Sequence, residues 1–160
     1  TDIALRPAVE ELCKSFTPMA NEHRVMLEMQ CETLCVHMSQ KHVEQLIGNL
    51  ISNAIKYNHE GGTVDVLIRR QENLLVITVE DSGIGISKED EKHIFERFYR
   101  VDKGRSRKIG GTGLGLSIVK HIARYYHGKI DLFSRENIGT TITITLPDVI
   151  VDESSADQAA

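Results

Sequence analysis

The stretch Ser39–Asp81, SQKHVEQLIGNLISNAIKYNHEGGTVDVLIRRQENLLVITVED, decides the fold. Ser39 suits a helix N-cap. After it, Val43, Leu46, Ile47, Leu50 and Ala54 form one apolar stripe, which predicts a helix over about Gln40–Tyr57. Asn58-His59-Glu60-Gly61-Gly62 reads as a turn. The period then changes from helical to two. Thr63–Arg70 and Leu74–Asp81 are rich in β-branched residues and read as strands joined by a hairpin around Gln71, Glu72 and Asn73. A helix running straight into an antiparallel hairpin is not the βαβα alternation of a Rossmann sheet.

The flanks extend the same scheme. Upstream, Pro7 to about Arg24 reads as a helix through Val9, Leu12, Cys13 and Phe16, with Pro18 expected to kink or interrupt it. Val25–Cys31 alternates as a strand, with Leu34–Met38 as its expected hairpin partner. Downstream, Asp81–Ile86 is a turn and a short helix is expected from Lys88 to about Phe95. Arg100–Thr112 is basic, glycine-bearing and without periodicity, a loop of the length that usually has a function. Leu114, Ile118, Ile122 and Tyr125 mark a last helix, closed by Gly128. Strands over Lys129–Ser134 and Thr140–Leu146 follow, and Pro147 ends the second. The expected class is α+β, a two-layer α/β sandwich with helices on one face of a mixed, mostly antiparallel sheet. Residues 1–150 are expected to form one domain and 151–160 a disordered tail.

Composition agrees with a single ordinary domain. The chain has 160 residues, 41% hydrophobic and 26% charged, with a formal net charge of -4. A non-specific nucleic-acid binder should be clearly basic, so no nucleic-acid partner is expected. No apolar run approaches the roughly 18–20 residues needed to cross a bilayer, so direct membrane insertion is not expected either. The chain begins at Thr1, which suggests a piece of something longer. Cys13, Cys31 and Cys35 are an odd number without C-x-x-C spacing, which points to a reducing compartment and three small apolar side chains. The seven histidines show no metal-ligand spacing.

Three segments carry chemistry. Asn49, Asn53, Lys56 and Tyr57 share one side of the predicted helix, beside its apolar stripe. Asparagine is a poor helix former, and two of them one turn apart want polar partners. Amide oxygens can hold Mg²⁺, Lys56 can meet a phosphate, and Tyr57 offers a flat face with a polar tip. The same pattern also fits a plain amphipathic helix with polar flanks. Asp81 ends an apolar strand, where a carboxylate must be hydrogen-bonded. It can accept from a turn N–H or from the exocyclic amine of adenine. Gly110-Gly111-Thr112-Gly113-Leu114-Gly115-Leu116 runs into a helix whose first N–H groups suit a phosphate, although a flexible loop and cap would read alike. It is neither a P-loop nor a dinucleotide fingerprint.

In chain order, these segments resemble the catalytic and ATP-binding module of sensor histidine kinases. Asn49-Leu-Ile-Ser-Asn53-Ala-Ile-Lys56-Tyr57 is similar to the N box, and Asp81-Ser-Gly83-Ile-Gly85-Ile86 to the first glycine box. Phe95-Glu-Arg97-Phe98-Tyr99-Arg100 is similar to the F box, and Gly111-Thr-Gly113-Leu-Gly115-Leu to the second glycine box. Gly139-Thr140-Thr141 opens the last strand as in that family. The likeness runs from the first helix to about Pro147.

The resemblance implies a Bergerat-type ATP-binding fold with ATP and Mg²⁺ bound. Asp81 would receive the adenine amine, with Gly83 and Gly85 shaping the pocket and Tyr57 and Ile86 flanking the ring. Thr140 would add a hydrogen bond through water. Asn53 with Asn49 would hold Mg²⁺. Lys56 and the backbone of Gly111, Thr112, Gly113, Leu114, Gly115 and Leu116 would meet the phosphates. Phe95–Gly110 would be the ATP lid. Arg97 would steady transferring charge, and Arg105, Arg107 and Lys108 would close over the γ-phosphate. The family's acceptor histidine lies in a separate helical hairpin, and His59-Glu60, the nearest local match, sits in a glycine-rich turn. A separate dimerisation and phosphoacceptor domain, a response regulator and a cytoplasmic location beside a bacterial membrane sensor are therefore the implied surroundings. The related ATP-driven clamps place a Glu four residues before the metal-binding Asn, where this chain has Asn49. A non-catalytic nucleotide sensor is the third reading.

Overall fold

Helix α2 (Gln40–Lys56) anchors the structure. The Ser39 hydroxyl accepts the His42 N–H at 3.0 Å and so caps it. Its stripe of Val43, Leu46, Ile47, Leu50, Ile51, Ala54 and Ile55 is buried. Burying one such large aliphatic side chain contributes about 1.5–3 kcal/mol, so this stripe fixes how the helix lies on the sheet.

The computed structural model describes residues 2–96 and 115–151. Around α2 run β1 (Asp2–Ala4), α1 (Leu5–Glu22), β2 (Met26–Cys31), β3 (Cys35–His37), β4 (Thr63–Gln71), β5 (Leu74–Asp81), α3 (Lys88–Glu91), α4 (Gly115–Tyr125), β6 (Lys129–Arg135), β7 (Gly139–Pro147) and β8 (Ile150–Val151). The main sheet has the order β2-β4-β5-β7-β6. Only β2 and β4 pair parallel within it. Helices α1, α2 and α4 pack on this sheet and on one another. The expected α+β two-layer architecture is the one observed.

Register explains where the core stops. Val66, Val79, Ile142 and Leu132 stand in one row across β4, β5, β7 and β6, and Ile68, Ile77, Ile144 and Ile130 in the next row of the same face. The period of two therefore puts apolar side chains under the helices. One row nearer the sheet end stand Val64, Asp81, Thr140 and Ser134. The inner face turns polar there, on three adjacent strands.

Four expectations need correcting. Cys35–His37 is not a hairpin partner of β2. It pairs with Asp2–Ala4 and with Ile150–Val151 in a separate small sheet of order β1-β3-β8. Helix α2 is the crossover that returns the chain parallel to β2 at β4, while Ile3 and Val36 bury each other's row in the small sheet. Pro18 does not interrupt α1, which continues to Glu22. The carbonyl that loses its partner belongs to Lys14, an exposed residue whose backbone water can serve. The helix from Lys88 stops at Glu91; after it, His93 and Ile94 N–H both return to the Asp90 carbonyl, a tightened turn. Finally, Val151 pairs with Cys35, so the small sheet reaches one residue into the stretch expected to be a tail.

Candidate functional site

The polar end of the inner face is built on Asp81. Its Oδ1 accepts the Gly83 N–H at 2.9 Å and the Thr140 N–H at 3.3 Å. No donor among the described residues reaches Oδ2. Burial pushes the Asp81 carboxyl up from 3.8 to about 6, against the lowering effect of the Gly83 and Thr140 N–H groups. The Glu80 charge raises it further and His59 lowers it. A carboxylate held this way has one fixed oxygen and one free to accept from a ligand amine. The two sequence-level alternatives for Asp81 are thus compatible, because each can use a different oxygen.

The turn after Asp81 is clamped from three sides. The Ile84 N–H donates to the Tyr57 carbonyl at 3.1 Å, tying the turn to the end of α2. The Asn137 N–H donates to the Ile84 carbonyl at 2.6 Å, and the Ile86 N–H to Ser134 Oγ at 2.7 Å. Gly83 lies against Tyr57, so a Cβ there would collide with the Tyr57 carbonyl oxygen. Gly85 has φ +71, and a Cβ on it would overlap the Arg135 carbonyl. The two glycines of this box are required by close backbone approach and by a left-handed φ. Ile86 is buried at the same turn and Tyr57 is half-buried at the C-cap of α2.

Asn49, Asn53 and Lys56 are half-buried along the last turns of α2. The Asn49 amide Nδ2 donates to the Gln45 carbonyl at 2.6 Å, which aims Oδ1 away from its own helix. A Cβ on Gly115, the first residue of α4, would stand 3.1 Å from that Oδ1. The first residue of α4 therefore lies beside Asn49 of α2. The Asn53 side chain has no hydrogen bond to another described residue. Two amide oxygens, one aimed outward by its own hydrogen bond and one unused, suit a hard cation that also takes phosphate oxygens. Because its nitrogen is committed to a carbonyl and an amide is not basic, Asn49 offers no general base.

The structure thus gathers Asn49, Asn53, Lys56, Tyr57, Asp81, Gly83, Gly85, Ile86, Gly115, Leu116 and Thr140 onto the C-terminal half of α2, the start of α4 and the polar sheet end facing them. Thr140 is opposite Asp81 in register and buried, and its backbone N–H contacts the carboxylate directly. Arg97, Arg105, Arg107, Lys108, Gly111, Thr112, Gly113 and Leu114 lie outside the described residues, as do most of the F-box segment and the lid. The sequence reading missed Ser134. Its signal was available in the alternation of Ile130, Leu132 and Ser134, where the inner face of β6 turns polar at the same end as Asp81.

Comparison with known proteins agrees with this layout. A family described as "Histidine kinase-, DNA gyrase B-, and HSP90-like ATPase" matches residues 38–150. The chain is 48% identical over 128 residues to the sensor histidine kinase WalK of Bacillus subtilis, covering 79% of this chain and 21% of WalK. It is 48% identical over 112 residues to the sensor-like histidine kinase SenX3 of Mycolicibacterium smegmatis, covering 70% of this chain and 29% of SenX3. It thus spans between a fifth and a third of the length of these relatives. Among solved structures, the nucleotide-free catalytic domain of the histidine kinase ThkA superposes with a TM-score of 0.79 at 26% identity, covering 92% of this chain and 95% of that one.

Proposed function

The chain belongs to the histidine kinase-, DNA gyrase B- and HSP90-like ATPase family, and on that premise we propose that it is the ATP·Mg²⁺-binding catalytic module of a sensor histidine kinase. The observation that carries this reading is the half-buried Asp81 carboxylate. One of its oxygens is tied to the Gly83 and Thr140 N–H groups, and no donor among the described residues takes the other.

In this reading Asp81 Oδ2 accepts the adenine amine, Gly83 and Gly85 let the backbone close on the ring, and Ile86 and Tyr57 flank it. Asn53 and Asn49 would hold Mg²⁺ against the phosphates, a cation that would supply charge neutralisation for phosphoryl transfer. Lys56 meets the phosphate chain as a point charge. Arg97, Arg107 and Lys108, with the backbone of Gly111, Thr112, Gly113, Leu114, Gly115 and Leu116, complete the phosphate side. The γ-phosphoryl group passes to an imidazole nitrogen on a separate dimerisation and phosphoacceptor domain, leaving ADP, and from there to a response regulator. Among the described residues no helix is long and apolar enough to cross a membrane. A cytoplasmic location is part of the same proposal. The amide at Asn49 favours the kinase over the related clamp hydrolases, because no carboxylate occupies the position that would activate water.

Calorimetric titration tests this. ATP should bind at least about tenfold more tightly with Mg²⁺ than with a chelator, a difference of about 1.4 kcal/mol. Asn53→Ala should remove most of that difference and leave the metal-free affinity nearly unchanged. Metal-independent binding that Asn53→Ala does not alter contradicts the metal assignment. Stable phosphohistidine on this chain after incubation with ATP contradicts the separate-acceptor mechanism.

A further inference from the structure

Resting on the ATP·Mg²⁺ reading of the site, we propose that Asn58 and Ser82 are positioning residues that together align its two halves. The turn after β5 is the half read as receiving the base, and α2 the half read as receiving metal and phosphates. Asn58 follows Tyr57, the C-cap of α2. Its Oδ1 accepts the His59 N–H at 2.9 Å, and its Nδ2 donates to the Thr63 carbonyl at 2.9 Å. The His59 contact fixes which way the amide points, because a backbone N–H only donates and must meet the oxygen. Gly62 closes on this amide so tightly that a Cβ there would overlap Asn58 Oδ1. Ser82 is the first residue past β5. Its N–H donates to the same Thr63 carbonyl at 3.1 Å, and its Oγ accepts the Thr63 N–H at 2.8 Å. The Thr63 carbonyl, with two lone pairs, thus takes one donor from each half of the site.

The serine also shapes the turn. In a hydrogen-bonded antiparallel pair, opposite residues exchange N–H···O=C bonds in both directions. Thr63 and Ser82 keep one of the two, and in the other Ser82 Oγ stands in for the carbonyl. The chain is then released from the ladder to turn, and the Gly83 N–H comes back to Asp81 Oδ1. Two backbone contacts cross the same gap: the Ile84 N–H donates to the Tyr57 carbonyl at 3.1 Å, and a Cβ on Gly83 would stand 3.1 Å from Asn58 Cα. The link through Thr63 is the one made by side chains, so substitution can cut it. A ligand that touches both halves gains when they are aligned beforehand, because its second contact then needs little further ordering. A ligand that touches one half gains nothing from that alignment. The link therefore acts on the whole nucleotide and not on its parts.

NMR titrations of this chain with Mg²⁺·ATP, with adenosine and with Mg²⁺·pyrophosphate test the assignment. Asn58→Ala should weaken Mg²⁺·ATP about fivefold to tenfold, the order of one lost hydrogen bond, and leave the other two ligands within about twofold. Ser82→Ala should show the same selectivity. The double variant should lose no more than the larger single loss, because a link already cut at Asn58 has nothing left to lose at Ser82. Asn58→Asp keeps the acceptor for the His59 N–H, and with it the turn, but sets a carboxylate oxygen against the Thr63 carbonyl. It too should weaken Mg²⁺·ATP alone, and it serves in place of the alanine variant if that does not fold. Equal losses for all three ligands, unchanged ATP affinity, or additive losses in the double variant overturn the proposal. A loss for pyrophosphate in Asn58→Asp overturns it as well, since that is plain charge repulsion. So does adenosine or pyrophosphate that fails to bind the unmutated chain, which then has no separate halves to align. Failure of the unmutated chain to bind ATP overturns the nucleotide reading itself, a result distinct from any variant outcome.

Discussion

Asp81→Asn is expected to separate nucleotide binding from the stability of the nucleotide-free fold, moving them in opposite directions. The asparagine oxygen can still accept from Gly83 and Thr140, so the turn keeps both of its ties. The free oxygen, however, becomes an NH₂ group facing the adenine amine, donor against donor. ATP affinity should fall by about 1–3 kcal/mol, the cost of a mismatched buried polar group. Stability should rise, because burial holds the Asp81 carboxyl at about 6, above its ordinary 3.8. A carboxyl raised on folding binds its proton more tightly in the native state. Its stabilising contribution is complete below its ordinary value and is lost as pH climbs through about 6. Near neutral pH the wild-type chain therefore carries a desolvated charge that the asparagine variant lacks. Denaturation at about pH 7.5 should show the variant more stable by about 1–2 kcal/mol, a figure discounted for partial exposure. The advantage should shrink as pH falls through about 6 and vanish below about pH 3, where the carboxyl is neutral in the folded and the unfolded chain alike. A variant less stable than wild type near neutral pH contradicts the account of how Asp81 is held. Unchanged ATP affinity removes Asp81 from the site.

Gly85→Ala should be the most damaging small substitution in the site. The residue sits at φ +71, which costs an L side chain about 1–2 kcal/mol. The added Cβ would also overlap the Arg135 carbonyl and stand 2.8 Å from Glu136 Cα, so the β6–β7 turn must move. That turn carries Asn137, whose N–H closes on Ile84, and Ser134 at its base. Chemical denaturation should register a loss of at least about 3 kcal/mol, the range of severe core and backbone lesions. ATP binding should disappear with it. Gly61→Ala is the matched control. Its φ is +86 but nothing lies within 4 Å of the added atom, so only the backbone strain of about 1 kcal/mol should appear. Equal effects at the two positions would mean that the clamp around Gly85 yields easily, and the pocket would then not be preorganised.

Legibility in the sequence followed the strength of local signals. Helix α2 and the β4–β5 hairpin were readable because a capped stripe of period 3.6 adjoins two strands of period two. β1 and β8 were not, because strands of three and two residues carry no periodicity and exist through pairing with β3. The same long-range pairing misplaced Cys35–His37. Pro18 was a sound breaker signal, outweighed because Val9, Cys13 and Ala20 bury one face of α1 on both sides of it. At the site, the position of Asp81 at a strand end was visible. Its direct contact with the Thr140 N–H was not, because it depends on β5 and β7 pairing across a gap of 59 residues. Ser134 needed one step more, since its role appears only when the β6–β7 register is combined with the Ile86 N–H.

The most direct test is to follow the backbone amides of this chain by NMR as ATP·Mg²⁺ is added. Saturable shifts centred on Gly83, Ile84, Ile86 and Thr140, joined by Asn53 only when the metal is present, are the predicted result. Saturable binding that leaves those amides unmoved, or no binding at millimolar nucleotide, contradicts the account.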